Sequence, residues 1–343
     1  MKISCIICGF GNVGTALADL LEERRDLLLQ EYGIEIVCRA VIASKGAAVS
    51  ADGLQLQKLA DYVRKGNRLD SHPEFGRTGY TLQDAVASFE PGIIFEVTLT
   101  DIKSGEPGLS HFTSGIEHGW NIASANKGPL VLHMKELKKS AETAGVTIKF
   151  SAATAAALPT TDVGVTCLAG STISKIEGIL TGTTNLLLTR MAETGQSYHD
   201  TLIDAQKKGM TETDPSLDVE GWDTANKTLI LANTLMGADL SLKDMEVEGI
   251  TGLDPVFVRE TCQKGNAIKL LGIAEKKGRS ISAYVKPVIV DKDHPLFAVN
   301  GTEKGITFTT DTMGKITVTG GRAGPVGTSA ALLKDLINIY RKN

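Results

Sequence analysis

The chain predicts an α/β protein: a doubly wound parallel sheet followed by a second α/β domain. Three observations predict it. The first 150 residues alternate short apolar runs with longer amphipathic ones, which implies parallel strands covered by helices on both faces. CGFGNVG, a G-x-G-x-x-G, lies between the first apolar run and the first amphipathic one, the place of the phosphate-binding turn in a βαβ unit. After Phe150 the alternation gives way to three helical runs, five strand-like runs and a closing helix.

Taken in order, ISCIIC, IEIVCRAVIA, GIIFEVTLT, WNIASA and VTIKF read as strands. Between them VGTALADLLEERRDLLLQEY, LQLQKLADYVRKG, LQDAVASF, LSHFTSGIEHG and LVLHMKELKKSAETAG have helical period. SAATAAALPTTDVGVTCLAG is small and alanine-rich, and SKIEGILTG is a strand. NLLLTRMAETG, SYHDTLIDAQKKG and GWDTANKTLILANTLMG are helices. AIKLLGIAEKK, ISAYVKPVIV, GITFTTDT and KITVTG form a second sheet, and PVGTSAALLKDLINIYRKN is the last amphipathic helix. No long linker separates the two parts, so the expected division is 1–150 and 151–320.

At 343 residues, 42% hydrophobic and 22% charged, the chain is long enough for about two domains with sizeable cores. A net charge of −4 and no run of basic residues longer than two argue against nucleic acid as a partner. MKISCIICGFG is too short an apolar stretch for a signal segment or a membrane span, so the reading is a cytoplasmic protein without membrane contact. Cys5, Cys8, Cys38, Cys167 and Cys262 form no framework and are expected to be reduced and buried. CIIC has redox spacing, but within a strand its two thiols would be buried structural groups.

In CGFGNVG, Gly9 serves the tight turn, Gly11 the close approach of a pyrophosphate, and Gly14 the packing of helix on strand. An NAD site would end the second strand in a carboxylate for the ribose 2′-hydroxyl. This chain has Ser44 and Lys45 there, which suit the 2′-phosphate of NADP; a solvated loop lysine is the alternative.

TETDPSLDVEGWDTANK gathers carboxylates around one lysine. The helix is expected to start near Val219 or Gly221, with Trp222, Ala225, Leu229, Ala232 and Met236 as its buried stripe. Asp223 and Lys227 lie beside that stripe, one turn apart, and their row continues into Ile230. An exposed i, i+4 pair is worth only about 0.3 to 0.5 kcal/mol. A row leading into isoleucine is instead expected to be partly buried, either as a structural network or as a polar substrate site.

The same stretch resembles the E-x-D-P-x-x-D-x-x-G-x-D-x-x-x-K signature of the homoserine dehydrogenases. GFGNVG, SANKGPL, SKIEGILTGTTN, the HPL from His294 to Leu296 and RAGPVGTSA follow in that family's order over the whole chain. The resemblance implies a Rossmann-type domain, 1–150 completed by a C-terminal helix at 321–343, and a central α/β domain at 151–320 for substrate binding, catalysis and dimerisation. It implies reversible reduction of L-aspartate 4-semialdehyde to L-homoserine with NADP or NAD as cofactor, in a homodimer, within threonine and methionine biosynthesis. Glu212 would bind the substrate, Asp218 and Asp223 line the site, Lys227 donate the proton, and Lys127 bridge cofactor and substrate. Gly182, Thr183 and Gly209 would shape the pocket, Gly209 also on the cofactor side. Phe10, Asn12 and Val13 would lie on the phosphate loop, Thr98 and Thr100 would end a strand near the nicotinamide, and Gly324 would return to the cofactor.

Departures from the pattern are equally specific. The family's E-x-x-V-G-x-G-x-P, which holds a monovalent cation, reads SAATAAALP here. Ser151 replaces the carboxylate, leaving Thr154, Ala156 and Leu158 to offer carbonyls; a hard cation loses most of its attraction without the charge. Met210 and Thr211 replace an aromatic residue and alanine before Glu212. The short chain is expected to be monofunctional, without kinase or regulatory domain. Two other readings make different demands: an aspartate-semialdehyde dehydrogenase needs a nucleophilic cysteine, for which Cys167 and Cys262 are the candidates, and a non-catalytic NADP-binding redox sensor has no use for Lys127 and Lys227.

Overall fold

The computed structural model describes residues 1–208, 210–211, 214–321 and 323–341. It divides into two compact units, residues 1–157 with 324–343, and residues 158–323.

The first unit is built on a seven-stranded sheet. Its strands are β1 (Lys2–Cys8), β2 (Glu35–Ala43), β3 (Gly46–Val49), β4 (Gly76–Arg77), β5 (Ile93–Glu96), β6 (Asn121–Ser124) and β7 (Ile148–Lys149), in the order β4-β3-β2-β1-β5-β6-β7. From β2 to β7 neighbours run parallel, while β3 and β4 form an antiparallel edge. That edge departs from the all-parallel expectation, because the chain leaves β2 through a tight two-residue turn rather than a helical crossover. β1 and β5 are fully buried over Cys5–Cys8 and Ile93–Phe95, as central strands covered on both faces require. The topology switches between β1's two neighbours, which opens a crevice beyond the carboxyl ends of β1 and β5.

Helix Gly324–Tyr340 belongs to this unit and packs along helix Asn12–Glu23. Leu332 and Leu336 join Leu17, Ala18 and Leu21 in one apolar core. The Ser329 hydroxyl donates to the Val13 carbonyl at 3.3 Å, and Asn121 donates to the Tyr340 hydroxyl at 2.9 Å.

The second unit holds a six-stranded sheet of β8 (Ile173–Ile179), β9 (Glu246–Val247), β10 (Ala267–Lys277), β11 (Ser280–Val290), β12 (Lys304–Thr310) and β13 (Lys315–Gly320), ordered β13-β12-β8-β10-β11-β9. All its pairings are antiparallel except β11 with β9. Helices Gly182–Thr194 and Trp222–Leu235 pack on this sheet.

Three local expectations are corrected. The strand containing Thr98 and Thr100 stops at Glu96, because the Glu96 carboxylate accepts from the Thr98 N–H at 3.0 Å and from its hydroxyl, turning the chain off the sheet. Trp222, at the first position of its helix, is 36% exposed and Met236, at its C-cap, is half-buried, whereas Ala225, Leu229 and Ala232 between them are fully buried. All five cysteines are free thiols, but Cys167 is exposed and Cys262 half-buried, since neither lies in a central strand.

Candidate active site

The phosphate loop follows β1 directly. Gly9 has φ +97, and a Cβ there would meet the Val97 carbonyl oxygen at 2.6 Å; a Cβ on Gly14 would meet the Gly9 oxygen at 2.2 Å. Gly11 is different, for a Cβ on it would meet nothing within 4 Å. Two of the three glycines are therefore demanded by the protein's own packing, while the middle one keeps open the space a pyrophosphate needs. Asn12 begins the helix, whose first turn carries no acidic residue to oppose an anion. Phe10 is buried and Val13 half-buried, anchoring the loop from beneath. These residues fit a dinucleotide.

Ser44 and Lys45 form the exposed turn between β2 and β3. Arg68 donates to the Lys45 carbonyl at 3.3 Å and pairs with Asp70 at 2.5 Å. That ion pair holds the Asp70 carboxyl below its usual range. Beside this turn is a cavity of about 510 Å³ lined by Ser44, Lys45, Arg68, Tyr80 and His111 among others. Arg68 escaped the sequence reading because it joins the turn through tertiary structure.

At the mouth of β5 a buried network sets the loop that carries Thr98 and Thr100. Glu96 is wholly buried; one carboxylate oxygen meets His111 Nδ1 at 2.5 Å, and the other accepts from Thr98 and from Asn126 Nδ2 at 3.3 Å. Asn126 also donates to the Thr98 hydroxyl at 2.9 Å, and its oxygen accepts from the Gly128 N–H at 2.9 Å. Lys127, at the N-cap of helix Gly128–Ala144, donates its backbone N–H to the Thr100 hydroxyl at 3.2 Å. The signal for this network was the single carboxylate in the apolar run GIIFEV.

In the second unit, Asp223 and Lys227 form an ion pair at 2.5 Å, with side chains only 17% and 14% exposed. Lys227 Nζ also donates to the Leu180 carbonyl at 2.9 Å, and the Thr181 hydroxyl donates to Asp223 at 3.2 Å. A free surface pair would be loose; this one is fixed by a backbone carbonyl and a buried threonine. Gly182 and Thr183 begin the helix after Thr181, and a Cβ on Gly182 would meet the Thr302 carbonyl oxygen at 2.8 Å. The register Gly305↔Ile179, carried on by one residue, sets Lys304 beside Leu180. Lys304 is 4% exposed, and burial together with the nearby Lys227 charge pulls its ammonium down to about 8, against the pull of Asp223. Lys304 is a charged group of this site that the sequence reading did not select. Asp218 lies in the short helix Ser216–Val219, while Glu212 and Gly209 lie outside the described residues. Gly324, with φ +81, starts the last helix and is exposed.

Ser151, Thr154 and Ala156 belong to the first unit and Leu158 to the second. Ser151 is bonded to Asp335 and Lys334, and Ala156 takes φ +52, a left-handed conformation rare for alanine. Cys262, a nucleophile candidate for the thioester reading, has its thiol pushed up by burial, the opposite of activation.

A phosphate loop at the switch point of a doubly wound sheet, with a half-buried acid–lysine pair in a second α/β unit, defines a dinucleotide-dependent oxidoreductase. A family profile described as Homoserine dehydrogenase matches residues 159–337. The homoserine dehydrogenase of Methanocaldococcus jannaschii is 37% identical over 98% of this chain and 98% of its own. An NAD(+)-dependent homoserine dehydrogenase of Pseudomonas canavaninivorans is 34% identical over 98% and 95%. A crystal structure from Archaeoglobus fulgidus superposes with TM-score 0.88 at 32% identity, covering 99% of this chain and all of that one. The chain belongs to the homoserine dehydrogenase family. The thioester and sensor readings find no support in these likenesses.

Proposed function

We propose that the chain interconverts L-homoserine and L-aspartate 4-semialdehyde, with Lys227 as the proton-transferring group. The observation that carries the reading is the Asp223–Lys227 pair fixed on the Leu180 carbonyl. When bound, the nicotinamide supplies or accepts the hydride. Lys227 gives its proton to the alkoxide oxygen formed at the aldehyde carbon, and its charge stabilises that oxygen as it develops. Asp223 and Leu180 hold the ammonium in one orientation, so little reorganisation is left for the reacting moment. Asp218 and Glu212 complement the substrate's ammonium group, with Gly182, Thr183 and Gly209 giving it room. In the first unit, Gly9–Gly14 receive the pyrophosphate, Thr98, Thr100 and Lys127 serve the nicotinamide end, and Gly324 returns to the cofactor.

The domain roles follow: residues 1–150 with 321–343 bind dinucleotide, and residues 151–320 bind substrate and form a homodimer contact. A cytoplasmic enzyme fits a chain in which no helix among the described residues is long and apolar enough to cross a membrane. NADP is the proposed cofactor, since Ser44, Lys45 and Arg68 offer a hydroxyl and cations at the ribose end. The NAD(+)-dependent relative makes NAD the second reading, and the ratio of kcat/KM for the two cofactors decides between them. The test of mechanism is spectrophotometric: homoserine with each cofactor, wild type beside Lys227→Ala. The expected loss in kcat is about 10²- to 10⁴-fold; a variant that keeps wild-type turnover sinks the assignment.

A further inference from the structure

The resemblance implies a bound monovalent cation at the segment beginning with residue 151, and the groups found there do not fit one. The Ser151 N–H donates to Asp335 Oδ2 at 2.9 Å and the Ser151 hydroxyl donates to Oδ1 at 2.8 Å. Lys334 Nζ donates to the Ser151 hydroxyl oxygen at 2.8 Å and to Asp335 Oδ1 at 2.9 Å. Asp335 is wholly buried, Ser151 is 1% exposed, and the Lys334 side chain reaches in from the surface at 34% exposure. The Ser151 carbonyl already accepts from the Thr154 hydroxyl at 3.0 Å.

An alkali ion needs oxygens with free lone pairs and a net negative cage. Here both Asp335 oxygens accept hydrogen bonds, and the position that carries a carboxylate elsewhere in the family carries a hydroxyl. A second cation beside the Lys334 ammonium would face a like charge across one shared carboxylate. An ammonium is itself a compact cation with three donors, and two of them reach the groups that tie helix Gly324–Tyr340 to the segment Ser151–Ala155.

We propose that the Lys334 ammonium is a built-in replacement for the family's monovalent cation, tethering the 151–155 segment to the last helix and making the enzyme independent of added alkali ions. Ser151 is the companion change: a carboxylate at that position would compete with Asp335 for the lysine, whereas a hydroxyl accepts from Lys334 and donates to Asp335 at once. Lys334 is thus a positioning residue rather than a catalytic one. The proposal leans on the homoserine reaction only for one of its two readouts.

The test compares sodium, potassium and tetramethylammonium chloride at equal ionic strength. Wild-type rate and melting temperature are expected to agree among the three salts within about twofold and about a degree or two, the residue of general salt effects. Lys334→Ala is expected to melt lower in tetramethylammonium and to recover in potassium or ammonium, as linkage to a small bound cation requires, with turnover recovering in parallel. Lys334→Gln, which keeps the length of the side chain without its charge, should behave the same way, and Lys334→Arg should stay salt-independent. Specific activation or stabilisation of the wild type by sodium or potassium overturns the proposal. So does a loss in Lys334→Ala and Lys334→Gln that no small cation restores, or no loss at all. The melting arm stands even if homoserine proves not to be the substrate.

Discussion

At the start of β12, Lys304 carries its ammonium into a site 4% exposed, where it titrates at about 8 instead of the ordinary 10.5. Between those two values the unfolded chain binds more protons than the folded one, so stability rises with pH there. The stabilisation is complete above 10.5 and gone below about 8; at neutral pH the buried charge costs about 3 kcal/mol. Lys304→Met is therefore expected to lose this part of the rise in stability between pH 8 and pH 10, read as a smaller gain in melting temperature over that range than wild type shows. An equal gain in the two proteins contradicts the assignment. Lys269 is likewise held at about 8 by burial. Its ammonium donates to Asn185 Oδ1 at 3.3 Å, to Asn300 Oδ1 at 2.9 Å and to the Val299 carbonyl, and replacing it leaves those acceptors buried and unsatisfied. Asp223 and Lys227 were legible in the sequence because a helix turns an i, i+4 spacing into adjacency. Lys304, Arg68, Glu96 and His111 were not, because strand register and loop packing bring them to their places from distant parts of the chain.

On the scale of elements, the loop Gly9–Gly14 separates folding from binding. Gly14→Ala places a Cβ at 2.2 Å from the Gly9 oxygen and is expected to destabilise the first unit by a few kcal/mol, roughly the cost of overpacking a rigid contact. Gly11→Ala meets nothing in the protein, so it is expected to leave the melting temperature near wild type while raising KM for the cofactor. A Gly11→Ala enzyme with unchanged cofactor KM removes the phosphate from this loop. Strands and helices were readable where their period was strong: β10 covers the whole expected run AIKLLGIAEKK, and β13 the whole of KITVTG. The antiparallel β3–β4 edge was missed, since GAAV and GR are too short to show a period. β5 stops four residues early because of one side chain's hydrogen bonds, and no propensity encodes that.

For the whole molecule, the α/β class was legible from alternation alone, but the strand order β13-β12-β8-β10-β11-β9 was not. Only tertiary register tells a strand at 173–179 that its neighbours come from 267–277 and 304–310. The reaction sets a further expectation at this scale. Oxidising one homoserine releases one proton, and Lys227 must be neutral to accept it, so oxidation is expected to speed up from neutral to mildly alkaline pH. A rate that stays flat or falls over that range contradicts Lys227 as the base.

Helix Gly324–Tyr340 closes the first unit from the far end of the chain, and this has a consequence for biosynthesis. On the ribosome, residues 1–157 are complete while Leu332 and Leu336, which cover Leu17 and Leu21, have not yet been made. The intervening unit takes some ten to thirty seconds to emerge at about 5 to 20 residues per second. For that interval one face of helix Asn12–Glu23 lacks its cover, and the nascent chain offers chaperones an apolar surface that is hidden once helix Gly324–Tyr340 has emerged and docked.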